Sequence, residues 1–367
     1  MSKRILVAAL AWLAAALPAA AQAAEIHVLN RADYIDPHVL EAFTLETGIK
    51  VVYDTYDEVS DLPARLAAQP FDVAIVPAGF LARHRDDKTF LDIDRTRIPN
   101  LHNMWPDIVA KAAFYDPDNA HSVIYLWGTT GIGYNPNAIK ASLPNAPANS
   151  WALFYKQDNL AKLSACGVML LDSPDEVLPS VLNYLGLPPQ AQGERDIAQA
   201  EDLLRDLRPY LKGFRAKAWQ EGLVDGEICA AMGRSGDIYQ AAAKAEELGQ
   251  GIEIDYIIPK EGAQMWFDVL TVPSSAQNVA GAYAFIDYLM RPDVIARVTN
   301  YVAFANANRA SQRYVDREIL DNPALYPDKA TLDRLYTAPM RGNGEDKALM
   351  KAWDEITAEP APSATME

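Results

Sequence analysis

Five histidines, His27, His38, His84, His102 and His121, are the first candidates for chemistry, and no two of them stand at a metal-ligand spacing. A metal centre is therefore not expected, and no motif asks for a cofactor. The run Gly128-Thr129-Thr130-Gly131-Ile132-Gly133 has the backbone freedom of a phosphate loop, but it matches neither the dinucleotide fingerprint nor the P-loop, whose Lys-Ser/Thr ending is missing. No serine occupies a Gly-x-Ser-x-Gly elbow. Carboxylates are too common for any pair to mark an acid and base of glycoside hydrolysis, which is decided by separation in space. With no catalytic motif in sight, the chain is expected to bind its ligand rather than to transform it.

The start of the chain places it in the cell. Lys3 and Arg4 precede an apolar run, Ile5 to Leu17, and the small-residue stretch Ala21-Gln22-Ala23 follows, the pattern of a secretory signal peptide over residues 1–23. The run is shorter than the roughly 20 residues that a spanning helix needs. Cleavage after Ala23 leaves 31 basic against 49 acidic residues, a net charge of −18. Nucleic acid is a poor partner for such a chain, and the field favours cations. The roughly 344 remaining residues exceed what one core serves, so two domains are expected. Export also bears on Cys166 and Cys229, the only two cysteines, which are expected to form a disulfide in an oxidising compartment, with two buried thiols as the alternative.

The elements that must position a site follow from periodicity. Glu25 to Asn30 reads as a strand, Pro37 to Thr47 as a helix closed by Gly48, and Ile49 to Tyr53 as a second strand. A helix at Leu62 to Ala68 and an apolar strand at Phe71 to Val76 repeat the unit, which indicates a parallel sheet with helices on both faces. Tyr125 to Asn135 reads as a strand crossing between domains. Helical pattern then dominates from Trp151, including Asp175 to Tyr184 and Asp196 to Leu207, before short strands at Val224 to Ala231 and Ile252 to Ile258. Pro259 marks a return crossing, after which Val269 to Val272 reads as strand and Ala280 to Met290 as a helix stopped ahead of Pro292. The first lobe is thus expected to be discontinuous, residues 24–130 plus 259–308. Residues 131–258 plus 309–357 would form the second, and 358–367 a disordered tail.

Several ordered segments resemble one family, the periplasmic putrescine/spermidine-binding proteins of ABC transporters. They are Asp33-Tyr34-Ile35, Glu46-Thr47-Gly48-Ile49-Lys50-Val51-Val52-Tyr53-Asp54, the Gly128 to Asn135 run, Cys166-Gly167-Val168, Leu182-Asn183-Tyr184-Leu185-Gly186, Pro259-Lys260-Glu261-Gly262-Ala263, Trp266-Phe267-Asp268 and Ala305-Asn306-Ala307-Asn308. The resemblance implies a two-lobed α/β solute-binding fold with hinge strands, a ligand cleft between the lobes, and a disulfide. It implies a monomer that hands a polyamine to an ABC transporter permease.

Position by position, the family's acidic contacts fall on Asp33, Glu176, Asp237 and Asp268, and its aromatic walls on Tyr34, Trp266 and Phe304. Carboxylates pair with ammonium groups while aromatic faces cover the methylenes and add cation–π attraction. Two departures stand out: Arg31 and Arg234 occupy places where the family carries tryptophan. An arginine fork suits an acid group, so the resemblance leaves a second ligand class open, an ω-amino acid or a γ-glutamylated amine. A ligand-sensing subunit of a membrane receptor would share the same pattern.

Overall fold

The computed structural model describes residues 24–214, 218–338 and 343–358; the expected signal peptide and most of the expected tail lie outside them. Ten strands are formed among these residues: β1 (Glu25–Arg31), β2 (Lys50–Tyr56), β3 (Val73–Pro77), β4 (Val123–Tyr134), β5 (Val168–Leu170), β6 (Gly213–Phe214), β7 (Ala230–Arg234), β8 (Asp255–Ile257), β9 (Gln264–Thr271) and β10 (Ala305–Asn306). Their order is β2-β1-β3-β9-β4-β7-β5-β6, with β8 and β10 also on β4.

The sheet is mixed, which corrects the expectation of a parallel one. β1 to β3 are parallel, as are β5, β6 and β7, but β9 runs antiparallel to both β3 and β4. The reason lies in the long strand β4 and in β9 beside it. β4 pairs with β9 and β10 through its first half and with β7 and β8 through its second, so one unbroken strand serves both lobes. Side chains alternate across the sheet of the first lobe: Val28 and Leu270 pack with Phe43 and Phe285 on one face, Leu29 and Val269 with Trp127 and Phe267 on the other. The second lobe has its own core around Trp151, Leu178, Leu204 and Met232.

Local differences from the expected elements have local causes. The strand expected at Val224 to Ala231 begins only at Ala230, because Val224 ends the helix Ala218–Val224 and the next amide, Asp225, still donates to the Glu221 carbonyl. β9 starts at Gln264, well before the expected Val269, since Gln264 to Phe267 pair with β4. Pro292 does end one helix, but it also begins another, Pro292–Val302, from the first-turn position where its missing N–H costs nothing. Within 309–357, expected in the second lobe, Leu332 and Leu335 pack with Trp127 and Phe267 of the first, while Trp353 and Ile356 of the last helix, Asn343–Thr357, join the second core. Cys166 and Cys229 form the expected disulfide, with their Cα atoms 5.4 Å apart.

Candidate functional site

Strand ends and helix starts deliver the charged groups to one cleft. Arg31 is the last residue of β1 and Arg234 the last of β7. Glu176 and Asp237 lie in the first turns of the helices Pro174–Tyr184 and Ser235–Leu248. Such positions at the carboxyl ends of strands are where α/β sheets place ligands. Arg31, Glu176, Arg234 and Asp237 line a cavity of about 430 Å3 together with Trp219, and Trp266 joins Glu176 and Arg234 in lining an adjoining one of about 360 Å3.

Within it the charges are unequally matched. Arg234 donates to both oxygens of Glu176, at 2.9 and 3.5 Å, and Thr130 Oγ1 donates to Glu176 Oε2 at 2.6 Å. Burial alone would raise the Glu176 carboxyl, but Arg234 and these hydrogen bonds outweigh it and hold its pKa below the ordinary value. The Arg234 guanidinium also lies 5.6 Å from the Trp266 ring centre. Arg31 sits between the rings of Tyr34 and Tyr56, at 6.0 and 5.8 Å, and forms no ion pair among the described residues. Burial opposes its charge, yet the field of Asp268 keeps its pKa above the usual arginine value.

Asp237 is half-buried and makes no hydrogen bond or ion pair among the described residues. Burial pushes its carboxyl pKa up, against the pull of Arg234 and Arg31. A folded-state carboxyl raised above its unfolded value stabilises the fold below the unfolded pKa and loses that contribution as pH rises through the folded one. Asp237→Asn is therefore expected to make the ligand-free protein more stable at pH 8, by about 1 kcal/mol, with the gain shrinking towards pH 4. Thermal melts across that range check this; a variant less stable than wild type at pH 8 contradicts it.

Asp268, Tyr34 and Phe304 are buried behind this layer. Tyr34 Oη donates to Asp268 Oδ2 at 2.8 Å, and its ring packs on Phe304, which in turn meets Trp266 edge to face at 5.1 Å. Two glycines permit this packing: a Cβ at Gly128 would fall 2.4 Å from Trp266, and one at Gly236 would fall 2.3 Å from Phe304. Asp33 is not brought together with the others. It is exposed, with φ at 51°, and lines neither cavity; the helix after it is capped by Asp36 instead. Thr130 and Trp219 were missed by sequence reasoning. Trp219 carries no motif, and Thr130 lies in the glycine-rich run, whose signal is one of backbone freedom.

The model of the bacterial extracellular solute-binding proteins matches residues 38–327. The chain belongs to this family. It is thus a solute-binding protein, and the family binds its solutes without transforming them. The putrescine-binding periplasmic protein SpuD of Pseudomonas aeruginosa is 41% identical over 357 residues, 96% of this chain and 97% of the relative. The putrescine-binding periplasmic protein PotF of Escherichia coli is 40% identical over 92% of each chain. Among solved structures, the spermidine/putrescine ABC transporter substrate-binding protein PotD of Streptococcus pneumoniae superposes with a TM-score of 0.80 at 26% identity, covering 91% of this chain and 98% of that one. The two-lobed fold of this solute-binding protein is accordingly the fold of its relatives. No helix among the described residues is long and apolar enough to cross a membrane.

Proposed function

We propose that this solute-binding protein captures a linear polyamine of the putrescine or spermidine kind in the cleft and presents it to an ABC transporter permease. The reading includes export by residues 1–23 to the periplasm, where the relatives act, and a monomeric protein. One observation carries it: Asp237 and Asp268 lie within each other's field beside the aromatic layer of Trp266, Phe304 and Tyr34, and neither carboxylate has an ion-pair partner within 4 Å among the described residues. An ammonium supplies the missing charge, and the rings cover its methylene chain. The exposed rim adds Asp57, Glu58 and Asp172 against Arg83, a field that draws cations inward.

The names of the relatives favour a polyamine over an ω-amino acid. Asp237→Asn and Asp268→Asn are each expected to weaken putrescine by about 2 kcal/mol, the scale of a lost charge-assisted bond. Calorimetric titration measures it; unchanged affinity in both variants removes the two carboxylates from the site.

A further inference from the structure

The cleft holds donors that an alkyl polyamine cannot satisfy. Arg31 Nε and Trp266 Nε1 are both buried with no hydrogen-bond partner, and each belongs to a side chain that lines the cleft. Buried N–H groups without acceptors are rare and costly, and where they face a ligand cavity a ligand acceptor is their natural complement. A protonated polyamine consists of ammonium groups and methylenes and brings no acceptor at all. Gln264 Oε1, by contrast, is a buried acceptor without a partner in the same cleft, suited to an N–H.

Charge points the same way. The inner cluster sets Arg31 and Arg234 against Glu176, Asp237 and Asp268: Asp237 lies in the field of all four others, Arg234 in that of the three carboxylates, and Arg31 in that of Asp268 and Arg234. Arg234 and Glu176 neutralise each other at 2.9 Å. Arg31, Asp237 and Asp268 remain, one cation against two anions. A ligand with one net positive charge balances that set. A diamine brings one charge too many and must place an ammonium near the Arg31 guanidinium, while an ω-amino acid leaves one carboxylate unbalanced.

We propose that Arg31 determines specificity in this cleft, and that the preferred ligand is a diamine acylated on one nitrogen, with a single net positive charge. Its free ammonium is held by Asp237 in the field of Asp268 behind it, its acyl oxygen accepts from Arg31 or Trp266, and its amide N–H donates to Gln264 Oε1. The proposal rests on the reading of the cleft as an amine site.

Calorimetric titration of the full chain with N-acetylputrescine, putrescine, spermidine and 4-aminobutanoate tests it, in wild type and in Arg31→Met. The wild type is expected to bind N-acetylputrescine at least tenfold more tightly than the other three. In Arg31→Met that preference over putrescine is expected to fall to within about threefold. Tighter binding of putrescine or spermidine by the wild type overturns the specificity claim and leaves the amine reading intact. Tightest binding of 4-aminobutanoate overturns it in favour of a free acid. A preference that survives in Arg31→Met removes Arg31 from the role, and binding of none of the four overturns the amine reading itself. The wild-type ranking decides the ligand class even where the variant does not fold, and Arg31→Gln then takes its place.

Discussion

Glu176→Leu is expected to lower the unfolding free energy at neutral pH by about 3–5 kcal/mol, because it leaves a buried guanidinium without its partner. Arg234 donates to both Glu176 oxygens, and Thr130 loses its acceptor at the same time. The Arg234 side chain keeps 30% of its exposure, so water relieves part of the penalty and the lower end of that range is expected. The sign with pH is fixed by the lowered carboxyl of Glu176. Its stabilisation is complete above the unfolded carboxylate pKa of about 4.3 and disappears as pH falls through the lower folded value. Denaturant melts of wild type and variant should therefore differ widely at pH 7 and converge at the acid end. Equal stability at pH 7 would show that the pair contributes nothing.

Removing the disulfide ranks beside it. Cys166 and Cys229 close a loop of sequence separation 63, and they precede β5 and β7, which pair in parallel. In the chain-entropy model, losing that closure costs about 4 kcal/mol. Cys166→Ser combined with Cys229→Ser, or wild type under a strong reductant, should unfold at markedly lower denaturant concentration. The loss is expected to be felt at the cleft, because β7 ends in Arg234 and leads into the helix that carries Asp237. Unchanged melting after reduction confirmed by mass would rule out the stabilising role.

Much of the fold was legible because the signals were local. Gly48, Pro259 and Pro292 mark real ends of elements, and the apolar run before Asn135 is a strand that passes from one lobe to the other. Pairing across the sheet was not legible. Nothing in Gln264-Met265-Trp266-Phe267 shows that it lies antiparallel to β4, since that choice depends on a partner more than a hundred residues away. The candidate site divides along the same line. Glu176, Arg234, Asp237 and Asp268 are all placed in the sequence by resemblance alone; the structure sets the first three at strand and helix ends, whereas the burial of Asp268 behind Tyr34 is a product of packing. Asp33 has the chemistry of the other candidate carboxylates, but it stands exposed at φ 51° while Tyr34 and Ile35 beside it are buried.

The position of β9 in the sheet also sets the order in which the molecule can be assembled. β3 and β4 never touch as ladder partners; β9 lies between them, completing the facing side of β3 and the first part of that side of β4, which β8 continues. A nascent chain that has emerged only as far as residue 263 therefore carries two strands with open, apolar flanks facing a gap. Such edges are templates for wrong partners. Insertion of residues 264–271 pairs β3 with β9 and β9 with β4, and the same eight residues carry Trp266, which lines the cleft, and Asp268, buried behind it. Until that step both edges stay unpaired and Trp266 has not reached the cleft.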